Sequence, residues 1–282
     1  MFTFVQMRFL KHSFDFYLNS SIHVSLAVCA LLYVTYFSFH IVPDKVLLGF
    51  VFFASVTGYN FVKYFGLAKF HHRSLARWLK EIQLFSFGCF LAMCYFLWQL
   101  PFETWLFIGV FAGVTFLYAI PFLPRKLLMD SKQNLRSVGG VKVYVIALVW
   151  SGVTVFLPAY QGQYSMEFDV YLEGFQRFLM VVVFMLPFEI HDLQYDSLKL
   201  ATIPQKIGVK YTKVLGLVLL FVGFLSEFLK DELELETLVV KAVISIVTGL
   251  FLCFAKTGQS EYYSRFWVEA LPLLWCLLMW LV

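Results

Sequence analysis

Three carboxylates follow one another at helical spacing in the stretch PFEIHDLQYDSLKLATIPQKIGVKYTK, which begins at Pro187. Glu189, Asp192 and Asp196 stand at i, i+3 and i+7. At about 100° per residue they share one helical face, within a sector of about 60°. Like charges so placed repel one another. They persist where water solvates them, where bases pair with them, or where they share a cation. Hard oxygen ligands suit Mg²⁺, above all when substrate phosphates complete its shell. Lys199 continues the same face, within reach of a phosphate oxygen. The plain alternative is a solvated, charged helix end. His191 lies on another face and reads as an interfacial or hydrogen-bonding residue rather than a ligand. Tyr195 reads the same way. Pro204 and Gly208 are expected to bracket a turn before the next apolar segment.

A second polar face lies upstream. Asn60, Lys63 and Tyr64 stand at i, i+3 and i+4 near the end of an apolar segment, where polar groups need partners. Lys63 could meet a phosphate directly, and Asn60 could orient a phosphate or a metal-bound water. Lys69, His71, His72, Arg73 and Arg77 make the following loop basic. The plain reading of that loop is membrane topology on anionic lipid. Two adjacent histidines lack the distributed ligands of a metal site.

The elements that must position these residues are membrane helices. Of 282 residues, 61% are hydrophobic and 14% charged. A typical soluble domain has roughly 45–50% and about 25%. These proportions exclude a disordered chain and argue against a soluble one. Nine apolar segments are long enough to cross a bilayer: 20–39, 46–67, 82–99, 104–123, 139–159, 172–190, 211–229, 236–255 and 266–282. Lysine and arginine test the map. Sixteen fall at one set of segment ends and two, Lys45 and Lys230, at the other. The remaining Lys63, Lys142, Arg177 and Lys241 lie inside segments. This bias predicts a multi-pass protein of the inner (cytoplasmic) membrane, N-terminus in the cytoplasm and C-terminus outside. No linker separates a second domain, so one domain over 1–282 is expected.

Other chemistry is thin. The net charge of +4 gives no nucleic-acid footprint. The five cysteines form no close pair and read as buried, inert thiols. The N-terminus lacks the order of a cleaved signal peptide. Gly109 and Gly113 in GVFAG are expected to let helices approach closely. There is no nucleophilic triad, dinucleotide fingerprint or ATP loop.

The acidic stretch, read as ExxDxxxDSLKLATIPQKIG, resembles the second motif of the UbiA superfamily of intramembrane prenyltransferases, DxxDxxxD followed by Lys, Thr-x-Pro and Gly. LYAIPFLPRK at 117–126 resembles the Tyr-x-x-Pro and basic ending of that family's fourth span. The resemblance covers the whole chain and implies an all-α bundle of about nine transmembrane helices around a central cavity. It implies transfer of a polyprenyl group from its diphosphate to a lipophilic acceptor, with Mg²⁺ as cofactor. Asp192 and Asp196 are then metal ligands supported by Glu189. Lys199, Arg125, Lys126 and Lys63 clamp diphosphate, Asn60 orients it, and Tyr118 positions a phosphate or the reacting carbon. Asp192, Asp196, Asn60 and Lys63 are the expected catalytic set.

The chain departs from the family at its first motif, NDxxDxxxD. With Asn60 in the Asn place, Phe61 and Tyr64 stand where acids belong, and no acid occurs between Asp44 and Glu81. A second reading follows: a non-catalytic membrane protein that binds an isoprenoid or lipid. A transporter is a third, but no paired, Gly/Pro-interrupted halves are evident.

Overall fold

The computed structural model describes residues 4–64, 77–119, 140–194 and 202–282. Among them the regular elements are all helical: α1 (Phe4–Asn19), α2 (Ile22–Ser38), α3 (Lys45–Tyr64), α4 (Arg77–Gln99), α5 (Phe102–Ala119), α6 (Val141–Ser151), α7 (Leu157–Gln161), α8 (Phe168–Asp192), α9 (Ile203–Leu225), α10 (Leu235–Phe254) and α11 (Leu271–Leu281). A π-helical turn, Gly152–Phe156, joins α6 to α7, and a second, Tyr263–Val268, precedes α11.

Each of the nine expected segments contains a helix. Seven are long and apolar enough to cross a membrane, and α1 with α2 forms an eighth candidate bent by 56°. Phe102–Leu117 is a shorter apolar helix. The protein is an all-α, multi-pass integral membrane protein. Two details depart from expectation. Residues 4–19 form a helix although their charges and aromatics alternate. And α9 starts at Ile203, not near 211. Thr202 and Gln205 form a reciprocal capping box, and Pro204 sits in the first turn, where its missing N–H leaves no bond unmade. The expected turn is reduced to a kink at Gly208, whose φ of 78° suits a residue without Cβ.

The chain divides into two compact units: residues up to Cys29 with 44–101, and 30–43 with 102–282. In the first, α3 packs on α4. The Phe96 ring lies over Gly49, where a Cβ would approach it to 2.7 Å, and stacks on Phe53. In the second, α8 is the central element and is buried on most sides over its length. Gly174 admits the Phe156 ring, Gly152 the Phe111 ring, and Gly216 the side chains of Leu252 and Leu186. These glycines, not Gly109 and Gly113, make the close approaches; a Cβ at either of those two meets open space among the described residues. The thiols also differ from expectation, since Cys94 and Cys253 lie on outer helix faces while Cys89 is buried.

Candidate functional site

Helix α8 is 25 residues long and carries ionisable groups at both ends. Near its C-terminal end, Pro187 stands inside the helix, removing one backbone donor. The Pro187 carbonyl receives Gln259 Nε2 at 3.0 Å and Ser264 Oγ at 3.4 Å. Beyond this brace the helix continues through Glu189 to Asp192. Glu189 is 1% exposed. Lys142 Nζ lies 3.6 Å from Glu189 Oε1 and 3.7 Å from Asp192 Oδ2. The Lys142 and Asp192 side chains are 30% and 35% exposed. His191 Nδ1 stands 3.2 Å from Asp192 Oδ1, in the hydrogen-bonding role expected of it.

Lys142 is the second residue of α6, after Gly140 with φ 77°. A cation in the first turn opposes the helix dipole. The two carboxylates of α8 offset that penalty.

Asp196, Lys199 and Tyr195 fall outside the described residues, as do Arg125 and Lys126. Tyr118 lies in the last turn of α5, with only its backbone described. In the first unit, Asn60 is buried and fully engaged. Its Oδ1 accepts from Ser21 Oγ at 2.8 Å, and its Nδ2 donates to Ser20 O at 2.9 Å and Ser86 Oγ at 2.8 Å. Lys63 Nζ donates to Ser21 Oγ at 2.9 Å, and Tyr64 OH to Asn19 O at 2.8 Å. All three residues hold the corner between α1 and α2. Ser21 there has φ 64°, an unfavourable backbone that this network fixes.

The described donors do not fit Mg²⁺ as they stand. Among the described residues no group of three His, Cys, Asp or Glu side chains could hold a metal ion. Glu189 and Asp192 face an ammonium, and the third expected ligand, Asp196, lies outside the described part.

Two features escaped the sequence reading. Lys142 was counted only as a lysine near a segment end. The other is a buried charge network at the opposite end of α8. Lys241 Nζ donates to Glu173 Oε2 and Glu227 Oε2, both at 2.6 Å, and to Gln176 Oε1 at 2.7 Å. Lys230 Nζ is 3.0 Å from both Glu173 Oε2 and Glu227 Oε1. Arg177 Nη2 donates to Glu173 Oε1 at 3.1 Å, and Nη1 to Leu31 O at 2.7 Å and Thr154 Oγ1 at 3.2 Å. Its guanidinium lies 4.9 Å from the Trp275 ring centre. Thr154 belongs to the π-helical turn, and its carbonyl accepts from Thr35 Oγ1 at 2.6 Å. Burial pushes the Lys230 ammonium down, but the charges of Glu173 and Glu227 override it and raise the group above the ordinary lysine range. Arg177 and Lys241 sit inside apolar segments, which is itself a signal that partners exist.

No family model and no curated protein matches the sequence. A solved structure does. It concerns digeranylgeranylglyceryl phosphate synthase in membranes and superposes with a TM-score of 0.59 at 12% identity, over 95% of this chain and 97% of that one. The chain therefore has the helical bundle fold of that synthase.

Proposed function

We propose that the chain is a UbiA-like prenyltransferase with a divergent donor site, moving a polyprenyl group from its diphosphate to a lipophilic acceptor within the membrane. The observation that carries this reading is the C-terminal end of α8. There two carboxylates and an opposed lysine stand on a bundle shared with a digeranylgeranylglyceryl phosphate synthase. The whole chain is taken as one domain, with the basic segment ends in the cytoplasm of a cell with an inner membrane.

In the reaction the allylic C–O bond breaks and the electron pair leaves with diphosphate. The acceptor attacks the cationic carbon and then loses a proton. Lys199, Arg125 and Lys126 are assigned to the departing charge and Tyr118 to placing the donor. Electrostatic stabilisation and exclusion of water are the two contributions asked of the protein. Lys63 is assigned to contact the diphosphate and Asn60 to orient it, beside the hydrogen bonds by which both hold the α1–α2 corner. The resemblance brings Mg²⁺ into this reading together with the diphosphate, whose oxygens would complete a shell begun by Asp196. An apolar interior suits a long isoprenoid, whose tail then stays out of water.

One sequence feature favours a second reading. With no acid between Asp44 and Glu81, the chain lacks the carboxylates of the first motif and fits a prenyl diphosphate binder that does not ionise its ligand. The test is an assay of detergent-purified protein with a panel of polyprenyl diphosphates and acceptors, scoring diphosphate release and prenylated product. Release that falls at least tenfold in Asp192→Asn, about 1.4 kcal/mol of transition-state stabilisation, supports the transferase. Saturable binding without release selects the binder. Neither binding nor release with any donor sinks both.

A further inference from the structure

We infer that Lys142 is the resident cation of the acidic end of α8, occupying the electrostatic place of a divalent ion between Glu189 and Asp192 and offering its ammonium to the phosphate oxygens of a diphosphate. The second half of this inference rests on the proposed function. The first half stands without it.

Three observations support the assignment. The first is geometric: one ammonium lies within 4 Å of a carboxylate oxygen from each acid, at 3.6 and 3.7 Å, on a helix that packs against theirs. Two carboxylates on one turn are thereby offset without a metal. A dication brought to the same oxygens would meet a like charge, so it must displace Lys142 or bind weakly. The second is local. A lysine in the first turn of α6 opposes the helix dipole. That placement is stable where facing carboxylates compensate it, so the lysine and the acids form one electrostatic unit.

The third observation separates this lysine from a merely structural one. Charge-assisted N–H···O bonds run about 2.7–2.9 Å. Lys241, whose three bonds are 2.6, 2.6 and 2.7 Å, is locked. Lys142 is held by distance alone, beyond direct hydrogen-bond length from either acid, and remains 30% exposed. Its ammonium can swing to a phosphate oxygen while staying within Coulombic reach of Glu189 and Asp192.

The test uses the full-length protein in detergent and Mn²⁺ as a probe for a divalent site, read by electron paramagnetic resonance. Wild type and Lys142→Arg should show no saturable Mn²⁺ site. Lys142→Met should gain affinity by about tenfold or more, because a like charge has been removed from beside two carboxylates. Lys142→Met/Asp192→Asn should lose that gain. Equal Mn²⁺ affinity in wild type and Lys142→Met overturns the resident-cation assignment. The wild-type titration decides the question even where a variant fails to fold, since a tight Mn²⁺ site there is sufficient to refute it.

A second measurement addresses the ligand. Binding of a non-reactive geranylgeranyl thiodiphosphate is compared with Mg²⁺ and with EDTA. Wild type should keep its affinity within about threefold in EDTA, whereas Lys142→Met should lose at least tenfold there. A wild type that binds the probe only with Mg²⁺ refutes the phosphate role of Lys142. A probe that binds no variant under either condition removes the prenyl diphosphate reading, and the Mn²⁺ titration still decides whether Lys142 is the resident cation.

Discussion

The two ends of α8 use the same residue types to opposite effect. At the N-terminal end, Glu173 and Arg177 join Glu227, Lys230 and Lys241 in bonds of 2.6–3.1 Å, with the Lys230 side chain 7% exposed and the other four residues buried. At the C-terminal end, Lys142 stands 3.6 Å from Glu189 and 3.7 Å from Asp192, and two of the three are about a third exposed. The first arrangement leaves no ammonium proton on Lys241 for a ligand. The second keeps Lys142 within Coulombic reach of both acids but beyond hydrogen-bond length from either. Tight pairing fixes a fold, and loose pairing leaves a site able to exchange partners.

The comparison breaks most readily at Glu173. Glu173→Gln leaves the buried Arg177 without its carboxylate and leaves Lys230 and Lys241 to share Glu227. Removing one partner of a buried ion network costs about 3–5 kcal/mol. Thermal unfolding in detergent should show the largest loss of any substitution considered, or no monodisperse protein should be recovered. A change no larger than that of a surface substitution would show that water, not protein, surrounds the network.

At the other end, Asp192→Asn removes a partly exposed charge from a long ion pair. Its cost to stability should be under about 1 kcal/mol, because solvent screens such pairs. Its effect on prenyl diphosphate affinity should be the greater of the two, read by calorimetry with the same non-reactive analogue. An unfolding temperature that falls as far as in Glu173→Gln would place Asp192 among the structural charges and undo the contrast.

Much of this was legible in the sequence, and the losses have physical causes. The nine segments follow from length and apolarity alone, because a span must satisfy its backbone internally. α1 was missed because its charges alternate with aromatics and leave no long apolar run. The network around Glu173 was half visible. Arg177 and Lys241 stood out as bases inside spans, and Glu173 lies one helical turn from Arg177, but Lys230 was counted as a topology marker. Lys142 was invisible as a site residue because its partners lie some 50 residues away, and a lysine near a segment end has an ordinary explanation in the positive-inside rule. Asn60 was rightly suspected of needing partners. What its spacing could not tell was that those partners would be Ser20, Ser21 and Ser86. Asp196, Lys199, Arg125 and Lys126 remain proposals, since they lie outside the described residues.

The smallest expected effect tests whether burial or bond length separates the two ends. His40 Nε2 and Glu234 Oε1 are 2.7 Å apart, as short as the bonds of Lys241, yet their side chains are 76% and 46% exposed. The hydrogen bond to His40 holds the Glu234 carboxyl below its usual range, against a weaker push upward from burial. A lowered folded-state value contributes stability above the unfolded value, about 4.3, and loses it as pH falls through the folded one. From pH 5 to 8 Glu234 should therefore add no slope to the stability curve. Below about pH 4.3 its contribution should fade, and Glu234→Gln should abolish that part of the acid limb. Solvent screening limits the whole effect to less than about 0.5 kcal/mol, several times smaller than the loss expected at Glu173. Unfolding temperatures of wild type and Glu234→Gln measured from pH 3.5 to 7 would check the sign and the size together. A loss in Glu234→Gln that rivals Glu173→Gln at pH 7 would make contact distance, not burial, the governing variable. The long, part-exposed contacts of Lys142 would then count as weak because they are long, and their exposure would cease to distinguish them from the network at the other end of α8.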